Sequence, residues 1–320
     1  MGVFNYIRNQ IRHDRDVRAM LEKMNSRICE NRQKIDDISL QYHIDRLKDK
    51  TIHSKETGIT DEKYGDYEVI VSLTTFGDRI HNVHLTIESI MQGTIRPNKI
   101  VLWLAEDEFR GKTLPRTLML QQKRGLEIEY CKDVKSYNKL IPSLKMFPDD
   151  IIVTIDDDVL YEYDILEKLV NAHIENPNKI CACRMHRIIL KQGKPTNYMK
   201  WDLCISDNEC SVLNFPTGVG GILYPPHCFN NEVFNRDVFM ELCPKADDIW
   251  FYAMALINGT KSIWVRNSKP NGYYFSLPIT SDSLSLQNTI SNDGNDCGND
   301  KQLNALIKKY NIIKYWESVK

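Results

Sequence analysis

The sequence predicts a three-layer α/β fold built on a mostly parallel sheet, preceded by an N-terminal helical extension. Three observations predict it. Short apolar runs alternate with helix-spaced segments between positions 69 and 175. One run, Ile151-Ile152-Val153-Thr154-Ile155, is unbroken and β-branched, as a strand covered on both faces must be, and it ends in Asp156, Asp157 and Asp158. The first 50 residues contain no proline and carry apolar residues at spacings of three and four.

In order, Leu21, Met24, Ile28, Asn31, Ile35, Ile38 and Tyr42 form a heptad seam with one polar position. Such a helix can pack along its own catalytic domain or pair with a copy of itself. Ahead of the seam, Phe4, Tyr6, Ile7 and Ile11 stand beside Arg8, Arg12, Arg15 and Arg18, a basic amphipathic pattern suited to an anionic membrane surface. Residues 51–66 are polar and read as a linker. Residues 67–280 read as the catalytic domain. Strands are expected at 69–73, 100–104, 126–130 and 151–155, and helices at 80–91, 137–147 (Ser136 as N-cap) and 164–175. The period weakens beyond 180. A glycine-rich stretch spans 218–226, a helix 246–258, a short strand 262–265, and a loop and final helix 281–320.

Net charge is −1, from 42 basic and 43 acidic residues, so no global field points to nucleic acid. Nine scattered cysteines without a Cys-x-x-Cys pair argue against zinc and for reduced thiols in a cytosolic protein. Cys181 and Cys183 are expected to face apart on a strand. No stretch reaches membrane-span length, and Tyr6 breaks the myristoylation pattern. The expected location is cytoplasmic, with peripheral contact on the inner membrane face.

The chemistry concentrates in a few places. Three carboxylates at a buried strand's end repel one another unless a divalent cation and its phosphate-bearing ligand sit there. Thr74 and Arg79 follow the first strand, where hydroxyls can bond base or ribose and a guanidinium can pair with phosphate. Lys139 and Lys145 precede the acidic strand; Lys139 can reach nucleotide or phosphate. Asp247 and Asp248 head a helix, where the dipole favours acids. One of them can serve as base, with Trp250 or Tyr252 as a sugar-stacking face. Glycines at 218–221 allow close backbone approach to a ligand. Arg184, His186, Tyr198 and Trp201 are candidates for an acceptor side. A dehalogenase-type phosphohydrolase loop would need Thr or Val where Leu160 stands. The 293–298 stretch resembles a calcium loop but has Cys297 and Asn304 at ligand positions.

Together these strings resemble GT-A-type glycosyltransferases over residues 66–280, and bacterial capsule or O-antigen enzymes most of all. The acidic triplet is similar to the DXD motif, Gly220 and Gly221 to the glycines lining a donor-sugar pocket, and Asp247, Asp248 and Trp250 to the acidic start of the acceptor helix. The resemblance implies a nucleotide-sugar donor, UDP-linked, and Mn²⁺ or Mg²⁺ held by Asp158 and Asp156. It implies donor contacts from Thr74, Arg79, Lys139, Asp156 and Asp157, and substrate contacts from Gly220, Gly221, Asp247 and Trp250. Asp248 is implied as catalytic base, with inversion. The implied acceptor is a glycan or lipid-linked oligosaccharide. The late histidine that many such enzymes use as a metal ligand is missing, since no histidine follows His227; Asp282 or Asp293 are substitutes. A metal-dependent phosphohydrolase and a non-catalytic glycan-binding scaffold are the alternatives.

Overall fold

A computed structural model describes residues 2–267, 275–277 and 298–316, with side chains from residue 17 onward. Asp282, Asp293 and the 293–297 stretch lie outside the described residues, as do the side chains of the basic segment before position 17. The chain divides into two units, Met1–Asp49 and Lys50–Lys320.

The first unit is helical. Helix α1 spans Gly2–His53. Its seam residues are exposed, from 49% at Met24 to 71% at Ile38.

The second unit is an α/β domain. Strand β1 (Val69–Thr74) lies inside a seven-stranded sheet, with a neighbour on each side. It pairs in parallel with β2 (Lys99–Ala105), and β2 with β3 (Leu126–Cys131). The chain then returns past β1 to β4 (Ile151–Thr154), parallel to it on the other side. Beyond β4 lie β6 (Ile222–Tyr224), antiparallel, then β5 (Ile180–Ala182) and β7 (Ser262–Trp264). The order is β7-β5-β6-β4-β1-β2-β3.

Both faces of the sheet are covered, as the continuous apolar runs require. Ile70 and Ile152 point into one core with Trp250, Ala253 and Leu306. Val69, Val71, Leu73, Ile151 and Val153 point into the other, with Ile87, Ile90 and Leu169. Successive strand residues thus feed opposite layers. Helices α2 (Val83–Met91), α3 (Arg116–Gln122) and α5 (Ile165–Glu175) cover the second face. Helices α6 (Arg236–Leu242), α7 (Asp247–Ile257) and α8 (Gly298–Tyr310) cover the first.

Three expectations need correction. The segment at 137–147 is a 3₁₀ turn, Lys135–Lys139, followed by a short helix, α4 (Ile141–Met146). Pro142 suits the start of that helix, where its missing N–H has no partner to lose. Ser136 is therefore no helix cap; its hydroxyl donates to Asp247 Oδ1 at 2.8 Å. Cys181 and Cys183 pack into the same core layer, because a spacing of two on a strand returns to one face. All described cysteines are free thiols.

Candidate active site

Strand order reverses between β1 and β4, since β2 and β3 run off one side of β1 and β4 the other. In open α/β sheets the crevice outside the strand ends at such a point is the usual ligand site. Three segments meet there. Thr74 and Thr75 follow from β1, and Asp156, Asp157 and Asp158 from β4. Because β6 runs antiparallel, it is entered at this same edge: Ile222 pairs with Thr154, which sets the 218–221 glycines beside the acidic turn.

The three aspartates are not equivalent. Asp157 is buried, accepting from Thr75 Oγ1 at 2.6 Å and from an Arg79 terminal nitrogen at 2.8 Å. Its carbonyl also accepts from Thr86 Oγ1 on α2 at 3.0 Å. Asp156 and Asp158 flank it with 27% of each side chain exposed. The turn thus presents an Asp-x-Asp pair outward and ties the middle acid inward. Asp157, expected at the donor, is a correction: its lone pairs are taken by Arg79 and Thr75. Arg79, expected on phosphate, bridges Asp157 and, at 3.1 Å, Asp158. Burial, and then the charges of Asp156 and Asp157, push the Asp158 carboxyl up to about 6.

Lys139 plays the matching part across the crevice. The Ser72 hydroxyl on β1 donates to its carbonyl at 2.6 Å, which fixes the 3₁₀ turn. Its ammonium sits 2.9 Å from Asp156 and 3.1 Å from Asp247. Burial opposes that charge, but Asp156, Asp247 and Asp248 outweigh it and hold the pKa well above the usual value. Lys139, expected on nucleotide, is buried and engaged by these acids.

Asp247 and Asp248 divide as the triplet does. Asp247 is buried between Ser136 and Lys139, so its expected substrate contact is corrected. Asp248 is partly exposed and accepts from the Gly218 N–H at 3.1 Å. Burial first, then Asp247 and Asp156, push its carboxyl up to about 7, against the pull of Lys139 and Gly218.

Gly218 is the glycine the site depends on. A Cβ there would meet Lys139 Nζ at 2.7 Å, Asp248 Oδ1 at 3.1 Å and Asp156 Oδ1 at 3.6 Å. The Asp156 and Asp248 carboxylates thus approach one point on the backbone. Gly220 and Gly221, expected to line the donor pocket, serve the backbone path. At Gly220 a Cβ would strike Arg184 Cβ at 2.4 Å, and Gly221 has φ +85°. Tyr161 joins the two loops: its hydroxyl donates to Val219 O at 3.0 Å and accepts from Asp156 N at 2.9 Å. Sequence reasoning passed over Thr75, Tyr161 and Gly218 as individual site residues. The reversal after the acidic strand and the first glycine of the run were the available signals.

Several other expectations are redirected. Trp250 is fully buried, donates its indole N–H to Val233 O at 3.1 Å and packs against Phe239 and Tyr310; it cannot stack on a sugar. Tyr252 is likewise buried, bonded to Val212 O and Trp316. Thr74 donates to Trp103 O at 2.8 Å, which leaves its oxygen only as an acceptor. Lys145 is exposed over Phe234. Trp201 packs with Tyr198 and Phe215, and His186 is buried, its Nδ1 accepting from Cys204 N. Arg184 bonds Thr217 Oγ1.

Do these residues fit a divalent cation? Five carboxylates (Asp156, Asp157, Asp158, Asp247, Asp248) gather here; four of them share two cations, Arg79 and Lys139, and Asp248 accepts from the Gly218 N–H. Asp156 and Asp158, the partly exposed pair of the acidic turn, are hard oxygen donors on alternate residues. They fit Mn²⁺ or Mg²⁺. Among the described residues no group of three acidic, histidine or cysteine side chains converges on one ion, so the remaining ligands would be substrate and water oxygens.

No family model matches the sequence, and no curated protein matches it. Among solved structures, the fold is similar to the first 349 residues of TarS from S. aureus, at 14% identity and TM-score 0.45 over 66% of this chain and 60% of that one. A mannosyltransferase from Pyrobaculum calidifontis, solved with GDP-mannose and Mn²⁺, matches at 16% identity and TM-score 0.31 over 48% of this chain and 43% of that one. A CMP-2-keto-3-deoxy-manno-octonic acid synthetase with CTP matches at 11% identity and TM-score 0.36, over 62% of this chain and 88% of that one. The chain spans less than two thirds of the first two. Likenesses this distant transfer neither substrate nor activity.

Proposed function

We propose that the chain is a GT-A-type glycosyltransferase that moves a sugar from a nucleotide-diphosphate donor, a UDP-sugar, to an acceptor hydroxyl. The observation that carries this reading is an acidic turn that exposes Asp156 and Asp158, with Asp156 and a further acid, Asp248, approaching one backbone point at Gly218. Transfer from such a donor needs both functions: charge neutralisation at the leaving diphosphate and a base for the incoming hydroxyl.

A divalent cation on Asp156 and Asp158 supplies the first. Asp248 supplies the second. With a pKa raised to about 7 it is basic enough to take the hydroxyl proton and still largely ionised at slightly alkaline pH. The Gly218 N–H fixes the direction of its carboxylate. Arg79 and Lys139 each neutralise an inner acid and also touch one acid of the turn, Asp158 and Asp156, whose side chains stay partly exposed to a ligand. Direct attack by the hydroxyl gives inversion. The acceptor in this reading is a glycan or lipid-linked oligosaccharide at the cytoplasmic membrane face, in bacterial surface polysaccharide synthesis. No described helix is long and apolar enough to cross a membrane.

The test is nucleotide release from a panel of UDP- and GDP-sugars, with and without Mn²⁺ and with candidate acceptors. Metal-dependent release of UDP from one donor is expected. No release from any donor, or phosphate release from simple phosphoesters instead, would sink the reading.

A further inference from the structure

The helix α1 seam raises a separate question, which does not rest on the proposed activity. Leu21, Met24, Ile28, Ile35, Ile38 and Tyr42 are all exposed, Met24 the least at 49% and Ile38 the most at 71%. They repeat over three heptads, about 32 Å of helix at 1.5 Å per residue. An apolar stripe of that length on a helix needs a covering surface. Its flanks say which kind.

With Leu21, Ile28 and Ile35 as first seam positions, Met24, Asn31 and Ile38 are the second. The positions bordering the seam then hold Arg18, Arg27, Arg32 and Lys34, all exposed, and no acid. None of the four has an ion-pair partner among the described residues. The acids of this stretch, Glu22, Glu30, Asp36 and Asp37, sit on the outer face. Two of them are engaged there, Glu30 by Ser26 at 3.1 Å and Asp37 by Gln33 at 2.8 Å.

This charge layout disfavours a second copy. In a parallel homodimer Arg27 would oppose Arg32 of the copy, twice by symmetry. In the antiparallel register that matches the apolar residues about residues 29 and 30, Arg27 would oppose Lys34, again twice. Like charges at these positions select against a pairing, and opposite charges select for one. We propose that α1 is one strand of a heterotypic coiled coil, and that its occupant is a helix of another protein with Glu or Asp at the positions flanking its own apolar seam. Asn31 sets the register by requiring a polar residue opposite.

The experiment uses the full chain and two synthetic probes. Both are four-heptad peptides with Ile and Leu in the seam and one Asn to face Asn31. One carries Glu at every flanking position, the other Lys. The expected result is binding of the Glu peptide at least ten-fold tighter than the Lys peptide by fluorescence anisotropy, weakened several-fold by added salt. Charge reversal in R27E/R32E/K34E should invert that preference while leaving nucleotide release unchanged. In sedimentation equilibrium the chain alone should be monomeric at micromolar concentration. Three results would overturn the proposal: a seam-dependent homodimer, equal binding of the two peptides, or failure of the Glu peptide while phosphatidylglycerol vesicles bind through Ile28 and Ile35.

Discussion

The acidic turn after β4 and the acidic start of α7 arrange adjacent carboxylates in the same way with different cations. In each, one acid faces inward and its neighbour faces the crevice. Asp157 is anchored by Arg79 and Thr75, and Asp247 by Lys139 and Ser136. The difference lies in how far each cation reaches. Arg79 serves two acids of one turn, whereas Lys139 links the two regions, touching Asp156 and Asp247 together. An inner acid is therefore a structural charge, while in the proposed reading an outer one does the chemistry, though the residue type is the same.

That division can be broken most sharply at the outer acids. Asp248→Asn should keep the fold and lower transfer by about 10²- to 10⁴-fold, the usual weight of a general base. Asp158→Ala should abolish the metal dependence of nucleotide release. In the parent protein, transfer should rise with pH through about 7 as Asp248 ionises, and Asp248→Asn should lose that limb. The same carboxyl binds its proton more tightly folded than unfolded, so it contributes stability below about 4 that is lost as pH rises towards 7. Melting temperature measured across that window should fall less in Asp248→Asn than in the parent.

The inner acids should behave oppositely. Asp157→Ala strips Arg79 of its closer partner and should cost about 3 kcal/mol, the low end for a broken buried pair because Asp158 remains beside it. Urea denaturation reads this directly. Gly218→Ala should cost about 1–3 kcal/mol, since its methyl would displace Lys139 or Asp248, and should lower turnover more than donor binding. The smallest effect on catalysis belongs to Trp250→Phe. It loses one hydrogen bond and leaves a cavity at a fully buried site, together about 2–4 kcal/mol of stability, with donor and acceptor KM unchanged; a raised acceptor KM would restore the stacking role the burial of Trp250 denies it.

The unequal roles of like residues mark where the sequence could be read and where it could not. Strands 69–74, 99–105 and 151–154 were legible because β-branched runs bounded by polar residues have few other ways to fold. The place of the acidic triplet, at the carboxyl end of the last of these strands, was legible with it. Which aspartate turns inward was not, because the deciding partners are remote: Arg79 lies 78 residues from Asp157, and Ser136 lies 111 from Asp247. Trp250 misled because a helix start near a site looks the same in sequence whichever face is buried. Past residue 180 the sheet strands are three residues long, too short to show a period, and the aromatic packing of Tyr198, Trp201 and Phe215 has no sequence rhythm at all.

The one antiparallel strand of the seven-stranded sheet, Ile222–Tyr224, carries a consequence for folding kinetics. The crevice is complete only when pairings between β1 and β4 and between β4 and β6 have both closed, loops of roughly eighty and seventy residues. Contacts this distant in sequence form slowly. During refolding, helical signal should return first and the crevice last, so recovery of a Gly218–Asp248 contact reports the finished molecule rather than an early stage.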